Sequence, residues 1–436
     1  MLNYLRKIIS PDNPIRLFWH KLKGIVAAVK CGSPAKKMVC IGVTGTNGKT
    51  TTVHMIEHIL RSSGKKVAMI STVEFRINGK AEPNRSKKTT MSPFLTQKFL
   101  KKCLKEGVEY MVIEASSHAL HQHRLYGIPF SIAVMTNITH EHLDYHKTME
   151  KYKDAKKILF ENVSHNTPSD IIKNIPHKQA MILNTADKYF EEFNQMDCSN
   201  KITYGFDRGD IKVHGAAYSK FGSKFVLNYS FDDVEMELKI PGSFNIENAM
   251  AAMGASLSCN IELNDAKKAL ESFKGVAGRM ERIKSPKGFE VIVDFALTPD
   301  ALEKLYKTLN DSKTNRIIGI IGSCGDRDKE KRPLLGEIVA KYCDITIVTD
   351  EEPYTENPMD IMQAVLKGAK KIKKLDEDLH LIEDRYKAIE FAVQNATKGD
   401  QIVVTGMGNF DTRGMNDGPM KWDEREIARE IIKKYS

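Results

Sequence analysis

The run Ile41-Gly42-Val43-Thr44-Gly45-Thr46-Asn47-Gly48-Lys49-Thr50-Thr51 places a glycine-rich turn, an amine and adjacent hydroxyls in one short stretch. Those groups suit phosphate. Backbone N–H groups of such a turn converge on an anion, the Lys49 ammonium would offset terminal phosphate charge, and the Thr50 hydroxyl would ligate Mg²⁺. A strict G-x-x-x-x-G-K-[ST] loop has Gly where this chain has Val43, with Gly42 and Gly45 beside it. The apolar run before it and the helical pattern after it still make nucleotide binding the firmest inference. Two further segments follow apolar runs. Glu114 in Ile113-Glu114-Ala115-Ser116-Ser117-His118 sets a carboxylate at a strand end, where open α/β sheets bind ligands. Asn137-Ile138-Thr139-His140-Glu141-His142-Leu143-Asp144-Tyr145-His146 clusters oxygen and imidazole donors suited to a divalent cation. Loop, carboxylate and cluster are ingredients of phosphoryl transfer, with the reaction left open.

Positioning these groups requires strand ends. The runs MVCIGV, KVAMIST, YMVIEA, FSIAVMTNI and AMILNT alternate with helical periodicity, which predicts βαβ units and a mostly parallel sheet. A polar stretch over residues 161–178 interrupts the order, and alternation over residues 224–240 predicts antiparallel strands of a smaller side sheet. An Ala-rich helix follows Asn245. A Gly-rich, charged segment at 275–282 then precedes a second series, FEVIVDFA, RIIGIIGS, ITIVTDEE and QIVVTGMG, so a domain boundary is expected near residue 280.

Composition narrows the class. A chain of 436 residues predicts two to four domains, and 41% hydrophobic with 28% charged residues is ordinary for a soluble globular protein. No run approaches the roughly 18 apolar residues of a membrane span, which excludes a polytopic membrane protein. The net charge of +10 favours anionic partners. No aromatic-basic interleaving supports nucleic acid, and no nucleic-acid partner is expected. Seven Cys without a C-x-x-C pair suggest neither a disulfide framework nor a zinc ribbon, hence a reduced, cytoplasmic compartment. Within residues 1–37, Ile15, Phe18, Leu22, Ile25, Val26 and Val29 recur at helical spacing among Arg16, His20, Lys21 and Lys23. This amphipathic extension either touches a membrane surface or lipid-bearing substrate through residues 1–30, or lies against the first domain.

The ordered segments T-G-T-N-G-K-T-T, E-A-S-S-H-A-L-H-Q-H-R, T-N-I-T-H-E-H-L-D-Y-H-K-T-M-E-K-Y-K-D-A-K-K-I-L-F, F-N-I-E-N-A-M-A-A, G-R-M-E-R and G-D-R-D-K-E-K-R-P resemble the Mur ligase family, most closely its UDP-N-acetylmuramoyl-tripeptide synthetases. The resemblance implies an α/β architecture. A central P-loop ATPase domain would span residues 38–279, and a C-terminal Rossmann-like domain residues 280–436. It implies ATP and Mg²⁺ as cofactors, a muramoyl-peptide donor and a free amino acid as substrates, and a monomeric enzyme. The implied chemistry is phosphorylation of a donor carboxylate, attack of an amine on the acyl phosphate, and expulsion of phosphate. By matching position, Gly45, Thr46, Asn47, Gly48, Lys49, Thr50, Thr51, Asn245, Asn248, Arg279 and Asp294 are implied at ATP. Thr50, Glu114, His142 and Lys156 are implied at the metal, Lys156 as a carbamate. Lys49, Lys156, Glu114 and His142 would be catalytic, and Thr89, Thr90, Ser116, Gln122 and Arg124 would hold the muramoyl peptide.

Three departures stand out. Only some 38 residues precede the expected ATP-binding domain, where family members carry a uridine-nucleotide domain, so a lipid-linked muramoyl peptide or a polyglutamate-like chain is an alternative donor. The family D-Y-A-H-T-P-D reads Asp294-Phe295-Ala296-Leu297-Thr298-Pro299-Asp300, which, with altered acceptor loops, leaves a non-catalytic nucleotide-binding partner subunit as the alternative outside the enzyme class. The D-N-P-R of diaminopimelate-adding members reads Glu351-Glu352-Pro353-Tyr354, and G-K-G-H-E reads Gly406-Met407-Gly408-Asn409-Phe410. Tyr cannot replace an Arg fork on a carboxylate, so meso-diaminopimelate is not the expected acceptor. Glu351, Glu352 and Tyr354 are acceptor candidates; the two acids either favour a lysine- or ornithine-like side chain or are solvent-facing loop acids.

Overall fold

The computed structural model describes residues 12–166, 172–230 and 232–435. Two compact units form. The first runs through Ala217 and includes Gly222–Lys274; the second contains Gly275–Ser436 with the short segment Tyr218–Phe221.

The first unit is built on β1 (Val39–Thr44), β2 (Val67–Ile70), β3 (Glu74–Ile77), β4 (Lys80–Pro83), β5 (Tyr110–Glu114), β6 (Phe130–Met135), β7 (Ala180–Asn184), β8 (Lys201–Gly205), β9 (Ile211–Ser219), β10 (Gly222–Tyr229) and β11 (Asp232–Leu238). Their order in the sheet is β11-β10-β9-β8-β7-β6-β1-β5-β2-β3-β4. Pairing is parallel from β2 through β5, β1, β6 and β7 to β8. β1, β5, β6 and β7 are buried along their whole length, as strands covered by helices on both faces must be, and this is why they read as unbroken apolar runs. β10 and β11 pair antiparallel as expected, but they are no separate side sheet. β8 returns parallel to β7, so every later strand extends the same edge. The polar stretch also begins in a helix, Met149–His165, while residues 167–171 lie outside the described ones.

The second unit carries β12 (Glu281–Lys284), β13 (Glu290–Asp294), β14 (Ile317–Ile321), β15 (Ile345–Val348), β16 (Leu379–Leu381) and β17 (Gln401–Thr405), ordered β12-β13-β17-β14-β15-β16. All neighbours are parallel except β12 with β13. A hairpin, β18 (Thr412–Met415) with β19 (Gly418–Lys421), follows. Ile318, Ile320, Ile347, Ile402 and Val404 form its core with Ile389, Val393 and Ile431.

The described part of the N-terminal extension is the helix Pro14–Cys31. Asn13 caps it by accepting from the Ile15 and Arg16 N–H groups, Pro14 opens it, and Gly32 ends it at φ 76°. The seven Cys are free, and no described helix is long and apolar enough to cross a membrane.

Candidate active site

The glycine-rich loop joins β1 to the helix Lys49–Ser62. Val43 is buried within β1, so the turn begins later than in the strict motif. Gly42 serves packing instead: a Cβ there would stand 2.5 Å from Leu159 of the overlying helix. Gly45 and Gly48 sit at φ 150° and 84°, and added Cβ atoms would come within 1.9 Å of Thr136 Oγ1 and 2.2 Å of Asn248 Oδ1. Thr46 meets Tyr152 (3.1 Å) and donates to the Thr139 carbonyl (3.2 Å), and the Asn47 N–H donates to Asn137 Oδ1 (3.0 Å). Thr51, in the first helical turn, is buried. Asn248 receives the Thr52 hydroxyl (3.3 Å) and donates to Asn245 (3.2 Å), so both asparagines of the helix Ser243–Leu257 back the loop.

Glu114, at the end of β5, lies under this loop. Its carboxylate accepts the Thr50 hydroxyl at 3.1 Å from either oxygen, the Thr72 N–H (2.8 Å) and the Thr72 hydroxyl (3.0 Å). Lys49 donates to the carbonyls of Gly45 (3.0 Å) and Thr46 (2.6 Å), and Lys156 donates to Gly45 O (2.6 Å). Lys156 is 1% exposed. Burial first, and Lys49 next, push its ammonium well below the usual lysine range, which favours the neutral amine. Its amine lies 4.2 Å over the Tyr152 ring, and His142 approaches the same ring at 6.1 Å. Burial also lowers His142, and its other neighbours include Glu141, 3.6 Å away, and the two lysines.

The implied donor-binding residues converge at the same strand ends. The Thr72 and Thr89 hydroxyls meet at 3.0 Å, Thr90 donates to the Glu114 carbonyl (3.1 Å), and Arg124 donates to the Thr90 carbonyl (3.3 Å) and to Gln122 (3.0 Å). Gln122 donates to Tyr145 OH (2.9 Å), and Ser116 caps the helix Ser117–His121.

In the second unit Asp294 ends β13 and accepts N–H bonds from Met280 and Ala296, each 2.7 Å. Burial raises its carboxyl against the pull of Arg279, whose guanidinium covers Phe295 at 4.2 Å. At Leu297 the backbone carbonyl accepts Lys331 Nζ (2.9 Å). Glu351 and Glu352 are 2% and 3% exposed, which rules out solvent-facing loop acids. The reason is Arg413. Its guanidinium donates to the Glu351 carbonyl (2.6 Å) and to Asp350 (2.5 Å), and the next residue, Gly414, donates its N–H to Glu352 (2.8 Å). The Glu351 carboxylate accepts the Cys324 thiol (3.1 Å), and burial raises its pKa. Tyr354, at φ 50°, packs where a Cβ on Gly414 would be 2.3 Å from its ring.

Two domain families match the chain: Mur ligase middle domain over residues 43–256, and Mur ligase, glutamate ligase domain over residues 278–408. A UDP-N-acetylmuramoyl-L-alanyl-D-glutamate--2,6-diaminopimelate ligase of Clostridium botulinum is 37% identical over 418 residues, covering 95% of this chain and 82% of the relative. The chain belongs to the Mur ligase family. It is accordingly an ATP-dependent ligase that forms amide bonds. A ligase of the same name from Geobacillus thermodenitrificans is 33% identical, covering 98% of this chain and 84% of the relative. A solved structure of that name is 30% identical with a TM-score of 0.62, covering 91% of this chain and 79% of that one. MurF from Acinetobacter baumannii, at 17% identity, TM-score 0.69 and coverages of 95% and 80%, shares the fold.

The residues of this Mur ligase fit the cofactors its family uses. The Thr50 hydroxyl and Glu114 carboxylate are hard oxygen donors for Mg²⁺, whereas Lys156 becomes one only as a carbamate. Among the described residues no three His, Cys, Asp or Glu converge as a ready metal site. Asn137, read from the sequence as part of the donor cluster, braces the loop instead; sequence reasoning passed over Thr72 and Tyr152 around the loop, and Cys324, Arg413 and Arg385, which donates to the Asp350 carbonyl (3.2 Å), behind the acceptor motif. Thr72 had a signal, a hydroxyl just beyond β2; Arg385 and Arg413 had none.

Proposed function

We propose that this ligase adds an amino acid to the carboxylate of a UDP-N-acetylmuramoyl-dipeptide-type donor, a step of peptidoglycan precursor synthesis. The observation that carries the reading is the Glu114 carboxylate gathered by Thr50 and Thr72 at one end of the glycine-rich loop, with Lys49 and Lys156 both donating to the Gly45 carbonyl at the other; the names of the relatives support the donor class. Lys49 and the loop N–H groups would bind the ATP phosphates and offset charge as the γ-phosphoryl passes to the donor carboxylate and ADP leaves. Thr50, Glu114, His142 and carbamylated Lys156 would hold Mg²⁺, which supplies further charge neutralisation when bound. The amine then attacks the acyl carbon, the C–O bond breaks, and inorganic phosphate departs. Asn245, Asn248, Arg279 and Asp294 are assigned to the nucleotide, and Thr89, Thr90, Ser116, Gln122 and Arg124 to the muramoyl peptide.

The relatives are named for 2,6-diaminopimelate, but Glu351-Glu352-Pro353-Tyr354 lacks the arginine that would grip its far carboxylate. We therefore assign the acceptor as an amino acid with a cationic side chain, lysine or ornithine, read by Glu351, Glu352 and Tyr354. The test is phosphate release with ATP and Mg²⁺ across a matrix of UDP-linked, lipid-linked and polyglutamate donors against single amino acids, with mass spectrometry of products. Release coupled to the UDP-linked dipeptide and lysine or ornithine is expected. A best rate with diaminopimelate would overturn the acceptor assignment, and coupling only to another donor would overturn the donor assignment.

A further inference from the structure

The helix Pro14–Cys31 has two unlike faces. Gly24, Ala27 and Ala28 are buried, and the fit is close: a Cβ on Gly24 would stand 2.6 Å from the Tyr126 Cβ, and one on Gly127 2.8 Å from the Ala28 Cβ. The large apolar side chains point elsewhere. Ile15 is 79% exposed, Phe18 67%, Trp19 54%, Leu22 36% and Val29 71%. Steps of three, four and seven residues set them along one face, opposite the small residues that pack inward. A single exposed apolar residue is ordinary, but a row of five on one helix marks an interaction surface.

The charge around that row selects the partner. Arg16, Lys21, Lys23 and Lys30 lie on this helix, which contains no Asp or Glu. The Lys23 ammonium sits 5.1 Å over the Trp19 ring, so cation and aromatic are presented together. A second copy of the face would bring like charges into contact. A bilayer surface offers an apolar layer beneath a dense sheet of negative headgroups, and so satisfies both halves of the pattern. The helix is also preformed: it is capped at both ends, and Asp12 just before it pairs with Lys151 at 2.5 Å.

We propose that the Ile15, Phe18, Trp19, Leu22 and Val29 face docks this protein on an anionic lipid bilayer, with the helix lying in the interface and its lysines on headgroup phosphates. The contact is interfacial, since no described helix can span. It concerns where the ligase works and is independent of the donor it takes.

The test is flotation of the full-length protein with vesicles of phosphatidylcholine alone or mixed with phosphatidylglycerol, at low and high salt. Partition onto the mixed vesicles should be at least roughly ten-fold greater at low salt. A combined Phe18→Ser, Trp19→Ser, Leu22→Ser variant, and separately Lys21→Ser, Lys23→Ser, Lys30→Ser, should each lose most of that partition while nucleotide-dependent activity stays unchanged. A second readout stands if the serine variant fails to fold. Brominated lipid should quench tryptophan fluorescence in the wild type and not in Trp19→Phe, because the other tryptophan, Trp422, is buried in the second unit. Equal flotation of wild type and both variants, quenching that survives Trp19→Phe, or absence of lipid binding with a dimer dissolved by the serine variant would each overturn the proposal. Loss of flotation on deleting residues 1–11 with the point variants still binding would overturn it as well.

Discussion

Glu114 in the first unit and Glu351 in the second are equally buried, each 2% exposed, yet their surroundings differ in kind. Glu114 is held by neutral donors, two hydroxyls and one N–H, and among the described residues it has no ion-pair partner. Glu351 sits in a lattice of internal charge. Arg385 pairs with Glu424 and donates to the Asp350 and Thr405 carbonyls (3.2 and 2.6 Å), while Arg413 binds Asp350 and the Glu351 backbone. A buried carboxylate whose charge is not cancelled from within is poised for a cation from outside; one placed near arginines has its charge partly offset by the fold itself. The first arrangement should reveal itself in activity and the second in stability.

The largest expected effect tests the first half. Lys49→Ala should abolish ATP turnover, and Glu114→Gln should lower kcat/KM by roughly 10³-fold while shifting the unfolding midpoint little. Wild-type rates in either variant would remove that residue from the reaction. Lys156→Ala should be similarly impaired and, unlike the other two, partly restored by added short-chain carboxylates that replace the carbamate oxygen. No restoration would leave Lys156 as a buried structural amine.

The converse is expected at Arg385, fully buried with Glu424. Arg385→Met strands that carboxylate and should cost about 3–5 kcal/mol in urea unfolding, whereas Arg385→Met with Glu424→Leu should recover most of the loss. A double variant as unstable as the single one would mean that packing, and not charge cancellation, holds this region.

The same contrast explains what was legible in the sequence. Contiguous features could be read: the loop from Gly45 to Thr51, the strand end at Glu114, the parallel runs of both units and the antiparallel alternation over residues 224–240. Their chemistry depends on neighbours in the chain. The misplaced side sheet depended on β8 pairing with β7 across some twenty residues, which no local pattern encodes. Thr72 joins Glu114 from the turn just beyond β2, and Arg413 reaches Glu351 from 62 positions away. For the same reason a burial of 2–3% at Glu351 and Glu352 could not be foreseen from the loop alone. On the N-terminal helix the apolar spacing was visible, but which face packs inward was decided by Gly24, Ala27 and Ala28, the residues with least hydrophobic signal.

Glu351 sharpens the comparison because it belongs partly to each class: its backbone carbonyl is tied to Arg413, while its carboxylate accepts only the weak Cys324 thiol among the hydrogen bonds described. Glu351→Gln should therefore leave nucleotide binding intact and reduce preference for lysine or ornithine over neutral amino acids about ten-fold, read as kcat/KM across an acceptor panel. An unchanged preference would assign Glu351 wholly to the internal lattice.

The smallest effect lies just beyond the acceptor motif, at a partly buried carboxylate compensated by paired cations. Glu356 receives both Arg332 amines at 3.0 Å, Lys329 at 2.9 Å and the Asp326 N–H at 2.7 Å. The Arg332 bonds foremost hold its carboxyl down from 4.5 to about 2. A carboxyl with a lower pKa in the folded state contributes stability that is complete above its unfolded value and is lost as pH falls through the window from 4.5 to about 2. Between pH 5 and pH 3 the wild type should lose roughly 1–2 kcal/mol more unfolding free energy than Glu356→Gln, measured as urea midpoints at both pH values. Equal losses would show that the arginine grips an already solvated carboxylate. The distinction between carboxylates that serve the fold and those that serve the reaction would then have to rest on burial as well as on the partner's charge.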